Sequence, residues 1–402
     1  MTMRRSVVLG LVGAALSSAP RLDAATCCPG CSMIRGERLA ERIAKAGLVV
    51  HGTFSNPRQL PDPGPDEPSS LTDMRVLKVI KSHPAVAKKG NVAVAGFIAG
   101  AKQKPAEYIM FADVKEKQIL PFDGIPVDGK DIVDYLQGAV AAQKLPVPER
   151  LGFFFKYLDH PNDDISRDAY MEVSIPAFKD VASAKKFFDP ERVQKMLRDP
   201  KTPPYRFGLL GMLTGVCGRP QDAATLHTMI VDKEKRPHSG MDGLIAGYCL
   251  LEPEKGLAMV LDFLSNPEVD FNIRYAALRI TTQFLIKDFP VKEKKVIFDR
   301  LGSIVDNGEM GDLAIDELRK AEVWESSQRV FAAYDSTDAT ISKNNFIKRA
   351  AIRYALKCPN PEAKKFVEKL RKTNPGQLSI EEENLRWEEV QKKQEESATT
   401  VK

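Results

Sequence analysis

The 402-residue sequence is poor in several things that common chemistries require. Its 6 Cys are too few for a disulfide-built scaffold. Its 5 His (His51, His83, His160, His227 and His238) include no pair four residues apart, so the helical zinc pattern is missing. Neither charge dominates: 59 Lys+Arg against 54 Asp+Glu leave +5, too little for a nucleic-acid surface without a dense basic patch. There is no Gly-rich phosphate loop. Ser239, in His-Ser-Gly, has no nucleophile elbow around it. Without a nucleophile, base and orienting group, catalysis has no set of residues to carry it.

What is present divides the chain. Residues 1–25 open with Arg4 and Arg5, continue through an apolar run from Ser6 to Ala19, and end in small residues at Ala24 and Ala25. That order is a secretory signal peptide. The run is shorter than the ~20 apolar residues of a spanning helix. The paired arginines also fit, weakly, a twin-arginine signal. Cleavage would remove three Arg and one Asp, and net charge would fall from +5 to +3. The mature protein is then expected outside the cytoplasm, periplasmic or extracellular, with no membrane span and no nucleic-acid partner.

Residues 26–125 read as a small β module. A short helix is expected over 34–46, with Ile34, Leu39 and Ile43 on one stripe and Gly47 as its stop. Strands are expected at Leu48–Phe54, Thr72–Ile80, Asn91–Ile98, Tyr108–Val114 and Lys117–Leu120, which suggests a five-stranded barrel or sandwich. The stretch 56–71 carries five prolines and reads as a surface loop. Its Asp62, Asp66 and Glu67 lack calcium-loop spacing, so a solvated acidic loop is the simpler reading.

Residues 126–150 form a bridging helix, centred on 131–143, and a linker. From 151 to 375 the apolar period is 3.6. Helix starts near Ile165, Tyr205, Asp242, Ile273, Leu313 and Ile347 are spaced by 40, 37, 31, 40 and 34 residues, with second helices between them. One helix pair cannot hide its own apolar face, so stacked neighbours must cover it. Asp163, Asp164, Asn266 and Asn344 are candidate N-caps. Residues 376–402 are a charged tail, read as a solvated helix with a thin stripe of Leu385, Trp387 and Val390. The fold class is therefore α+β and multidomain: a five-stranded β module, then an all-α helical-repeat solenoid.

Two resemblances accompany this reading. Clustered Cys after a signal, a helix, Leu-Val-Val-His-Gly-Thr-Phe at 48–54, Met-Arg-Val-Leu-Lys-Val-Ile-Lys at 74–81 and Glu-Tyr-Ile-Met-Phe-Ala at 107–112 resemble the netrin-like, OB-type module also found in tissue inhibitors of metalloproteinases. Residues 32–216 contain no Cys, so no disulfide can tie the cluster to the barrel as in that family. Asp270-x-x-Ile273-Arg274-x-Ala276-Ala277-Leu278 and Ile347-Lys-Arg349-Ala-Ala351 resemble HEAT repeats. The whole arrangement is similar to exported bacterial HEAT-repeat-like proteins, a resemblance that implies a fold and no reaction.

Few residues are candidates for chemistry. Cys27, Cys28 and Cys31 lie in Cys-Cys-Pro-Gly-Cys. Cys28 and Cys31 have thiol-oxidoreductase spacing, but no βαβ unit surrounds them. A disulfide, a metal site, lipidation at Cys27 and thiol exchange all stay open. Cys217, Cys249 and Cys358 read as core residues. Arg167, Arg206, Asp242, Arg274 and Arg349 each open an inner helix, so they either line a binding face or bridge neighbouring repeats. The expected function is a non-catalytic interaction scaffold with a protein partner, no cofactor and no metal. The alternatives are a thiol–disulfide oxidoreductase and a netrin-like protease inhibitor.

Overall fold

The computed structural model describes residues 37–400 except 65–66, 85–89, 99–105, 117, 128 and 290–293. The signal segment, the Cys27–Cys31 cluster and Asp66 lie outside the described residues. After α1 (Leu39–Lys45) come β1 (Leu48–Gln59), β2 (Ser70–Lys81), β3 (Gly90–Ala95), β4 (Glu107–Lys115) and β5 (Gln118–Pro126). They close into a barrel in the order β1-β2-β3-β5-β4, with β4 returning to β1. The β3–β5 pair is parallel and the other pairs are antiparallel.

The pattern of β1 and β4 explains where the barrel sits. Leu48, Val50, Phe54, Met74, Val76, Val94, Met110, Ala112 and Ile119 form one cluster inside it. The alternate residues Val49, Ile109 and Phe111 belong instead to the main cluster, with Leu39 and Ile43 of α1. These two strands are buried on both faces, which is why they read as continuous apolar runs. Lys81, at the end of β2, donates to the carbonyls of Ile43, Ala44 and Ala46 at 2.9, 2.9 and 2.6 Å. It thereby fills the open C-terminal end of α1.

The loop expected over 56–71 is shorter, because β1 continues to Gln59. Pairing runs Ser55 with Asp73 and resumes at Arg58 with Leu71, so Pro57 falls in a bulge, where its missing N–H costs no ladder bond. Asn56 takes a positive φ of 49° there, and Asp73 accepts from Asn56 Nδ2 and Arg58 Nη1 at 2.9 and 2.7 Å. The fifth strand likewise continues to Pro126, six residues past the expected Leu120.

The rest is helical: α2 (Asp131–Ala142), α3 (Val147–Phe155), α4 (Asp163–Ser174), α5 (Phe178–Ser183), α6 (Pro190–Arg198), α7 (Phe207–Cys217), α8 (Ala223–Val231), α9 (Met241–Leu251), α10 (Pro253–Ser265), α11 (Phe271–Ile280), α12 (Lys295–Ser303), α13 (Gly311–Lys320), α14 (Ser327–Tyr334), α15 (Ala339–Ser342), α16 (Asn345–Lys357), α17 (Pro361–Thr373) and α18 (Pro375–Thr400). Five of the six expected starts lie in the opening turns of α4, α9, α11, α13 and α16. Tyr205 lies in the 3-10 turn that leads into α7. Asn344 caps α16 by accepting from Phe346 N at 2.9 Å. Asn162, just before the expected Asp163, caps α4. Asn266 caps no helix: it follows α10 and accepts from Glu268 N at 3.0 Å.

Contacts run between helices two or three places apart in the chain: α7 on α9, α9 on α11, α13 on α16, α16 on α18. The tightest is α7 on α9. Apart from Asp242 on α9, both helices are almost wholly apolar and buried. A Cβ at Gly211 would lie 2.7 Å from Leu244 Cα, and one at Gly243 would overlap the Gly208 carbonyl oxygen. Gly208, Gly211 and Gly215 recur 32 residues on as Gly240, Gly243 and Gly247, a repeat present in the sequence but hidden among the unequal steps.

The tail differs from expectation. It is one helix from Pro375, and its inner face is buried through Leu378, Glu381 and Leu385 against α16 and α17. Trp387 and Val390 of the expected stripe are exposed.

Candidate functional site

The charged residues that open the helices occupy joints between elements. Arg206 donates to the Leu158 carbonyl at 2.8 Å and to Ser166 Oγ at 2.9 Å, joining α7 to α4. Asp242 is buried at the start of α9 and pairs with Arg279 of α11 at 3.1 Å. Arg274, buried on α11, pairs with Glu309 ahead of α13. Arg349 of α16 pairs through Nε with Glu381 of α18 at 2.7 Å. Arg167 alone stays on its own helix, exposed and paired with Asp164 at 2.6 Å. The five do not form one pocket. Each of the other four ties one element to another.

Around Asp242 and Arg279 the surface is organised. Phe271 and Tyr275, one turn apart on α11, stack nearly parallel with ring centroids 6.1 Å apart and an interplanar angle of 4°. Arg279, one turn further, lies 5.8 Å over Tyr275 while it pairs with Asp242. Arg236 reaches Asp270, just before α11, at 2.9 Å. Phe271 and Tyr275 are 44% and 37% exposed, and Phe346 at the start of α16 is 65% exposed. Side chains of this size are normally buried. Here each is held on a rigid helix, two of them in a ridge clamped by ion pairs. Such a ridge can dock an apolar or π surface and add cation–π contact through Arg279.

A second cluster has only a faint signal in the sequence, two carboxylates four residues apart on an apolar helix, and sequence reasoning missed it. Asp168 and Glu172 of α4 are both buried. Asp168 accepts from Leu39 N at 2.7 Å and from Tyr135 Oη at 2.6 Å. Glu172 faces Arg38 at 3.5 Å and Gln143 at 3.4 Å. Burial pushes both carboxyls above their ordinary values, opposed by the Tyr135 hydroxyl at Asp168 and by the Arg38 charge at Glu172. The cluster joins α1, α2 and α4, so it couples the barrel end of the chain to the helices.

The remaining candidates are placed simply. Cys217, Cys249 and Cys358 are buried free thiols, and burial pushes the first two up to about 12 and the third upward. Unionised thiols of that kind are poor nucleophiles. His51 Nε2 meets Glu107 at 2.7 Å on the barrel wall, and the His227 ring lies 5.4 Å from Tyr248. Among the described residues no group of His, Cys, Asp and Glu could hold a metal ion, and no helix is long and apolar enough to cross a membrane.

No family model, curated protein or solved structure matches the chain.

Proposed function

We propose that the protein is an exported, non-catalytic scaffold that binds a partner protein along its helical part. The observation that carries this reading is the exposed aromatic ridge. Phe271 and Tyr275 are stacked, braced by Arg279 and Asp242, and left uncovered. Large aromatic and Arg side chains held rigid at a surface are the usual anchors of a protein interface. Export rests on the order of residues 1–25. A HEAT-like stack is supported by contacts between alternate helices and by charged bridges at several joints, and its extended face would display the ridge. An OB-type reading of the barrel is supported by its five-stranded closure and the single parallel β3–β5 pair.

The test is crosslinking and mass spectrometry on the native cell envelope, with wild type and a Phe271→Ser/Tyr275→Ser variant. Crosslinks from the α9–α11 region to one partner protein are expected in wild type. In the variant they should fall by about tenfold, the cost of losing an anchor worth roughly 1.4 kcal/mol. Crosslinks that are equal in both proteins would refute the reading.

A further inference from the structure

The C-terminal end of the helical part holds a cleft of about 390 Å³ between α14, α16 and the corner where α17 turns into α18. Tyr334, Ile352 and Ile380 form its apolar walls, and Asn345, Asn374, Gln377, Lys348 and Arg349 complete the lining. Among the described residues no carboxylate lines it.

The charges around the cleft are unevenly used. Glu381, buried beneath it, is saturated: it accepts from Arg349 Nε at 2.7 Å, Arg353 Nη1 at 2.8 Å, Gln377 Nε2 at 2.8 Å and Asn384 Nδ2 at 3.1 Å. Arg353 is also held by Asp316 at 2.6 Å, so it is spoken for from two sides. Arg349 gives only its Nε to Glu381, and its two terminal nitrogens make no hydrogen bond among the described residues. Lys348 has no ion partner among them. The N-termini of α16, at Asn345, and of α18, at Pro375, both reach this cleft. Their dipoles add positive potential, although the Phe346 amide of α16 is taken by Asn344 Oδ1 and Pro375 of α18 carries no N–H. The C-terminal end of α17 meets the same corner, but the Asn374 carbonyl there already accepts from Leu378 N at 3.2 Å.

We propose that this cleft recognises a carboxylate-bearing peptide segment of a partner protein. Lys348 and the free end of Arg349 take a carboxylate, the side-chain amides pair with the peptide backbone, and Tyr334, Ile352 and Ile380 receive an apolar side chain. The volume is too large for a lone small anion and includes an apolar wall that such an anion would not use. The assignment rests on the scaffold reading and names the chemistry of a partner segment at a place separate from the aromatic ridge.

The test uses the full-length protein and a fluorescein-labelled octapeptide rich in Asp and Glu with a central Leu, read by fluorescence anisotropy. Saturable binding that weakens with added salt is expected. Lys348→Glu should weaken it by at least about tenfold. Ile380→Ser should weaken it less, and both variants should keep the wild-type circular dichroism spectrum. Three results would overturn the assignment: no saturable binding, equal affinity in Lys348→Glu, or equal affinity for an Asn/Gln version of the peptide. Full displacement by inorganic phosphate at matched ionic strength would reduce the site to a small-anion site and also overturn it. If the envelope crosslinks at α9–α11 persist while the peptide fails, the cleft falls and the scaffold stands. Peptide binding with no crosslinks at α9–α11 would leave the cleft standing and remove the aromatic ridge as the docking surface.

Discussion

Asp168 Oδ1 accepts the backbone N–H of Leu39 at 2.7 Å across 129 residues of sequence, in a site closed to water. The bond hooks the first turn of α1 onto α4, and Tyr135 holds the other carboxylate oxygen at 2.6 Å. Asp168→Ala would strand both donors. A loss of about 2–3 kcal/mol is expected in urea unfolding, with faster exchange of the Leu39 amide. Unchanged exchange at Leu39 would show that α1 is held by the packing of Leu39 and Ile43 alone.

The same cluster sets a pH dependence. Burial raises the Asp168 and Glu172 carboxyls, so the folded chain holds their protons more readily than the unfolded chain does. Their stabilising contribution is fully present below the ordinary carboxylate range and is lost as pH rises through the raised folded values. Relative to Asp168→Asn/Glu172→Gln, wild type should therefore lose stability as pH rises from the ordinary carboxylate range through the raised folded values. Urea midpoints across that range measure it, and a wild-type advantage that grows with pH would contradict the assignment.

Between α7 and α9 the backbone itself is the contact surface. A Cβ at Gly243 would overlap the Gly208 carbonyl oxygen, and one at Gly247 the Gly211 carbonyl oxygen. Gly243→Ala should cost about 3 kcal/mol or more, because two helices must separate. Gly376 is the contrast: a Cβ there would meet nothing within 4 Å. Gly376→Ala should be neutral or stabilise by about 0.5–1 kcal/mol. Thermal melts of the two variants decide the point.

One buried acid, Glu381, helps hold the last helix beside Leu378 and Leu385. Burial works to raise the Glu381 carboxyl, yet hydrogen bonds from Arg349, Asn384 and Arg353 outweigh it and hold it below its ordinary value. Its stabilising contribution is present above the ordinary carboxylate value and disappears as pH falls through the lowered one. Glu381→Ala should cost about 1–3 kcal/mol, since the Gln377 and Asn384 amides lose their shared acceptor, while Arg353 keeps Asp316 and the part-exposed Arg349 is left to water. Hydrogen exchange should rise throughout α18 and stay unchanged in the barrel. Intact protection of α18 would mean that Leu378 and Leu385 suffice to dock it.

Much of the architecture was legible in local patterns. Alternation located the five strands and the 3.6 period located the helices, because each depends on which neighbours along the chain share a face. The strand ends were not legible: Pro57 reads as a loop residue unless a bulge is there to hold it. Arg206, Asp242, Arg274 and Arg349 could be singled out because they open periodic segments. The aromatic ridge could not, since Phe271 and Tyr275 look like any apolar pair one turn apart, and only the absence of a covering element distinguishes them from core. The tail showed the same limit. Its charge pattern suggests solvation all round, while Glu381 is buried because two arginines of α16 arrive to neutralise it.

By itself the sequence determined the division into a strand-rich and a helix-rich part, the positions of most elements, and the apolar residues that build their cores. Those follow from period and burial, which act over a turn or two of chain. Tertiary structure alone decided which carboxylates are buried, which arginines are spent on neighbours and which aromatics stay uncovered. Those depend on what the distant chain brings to each face, and no local pattern records it.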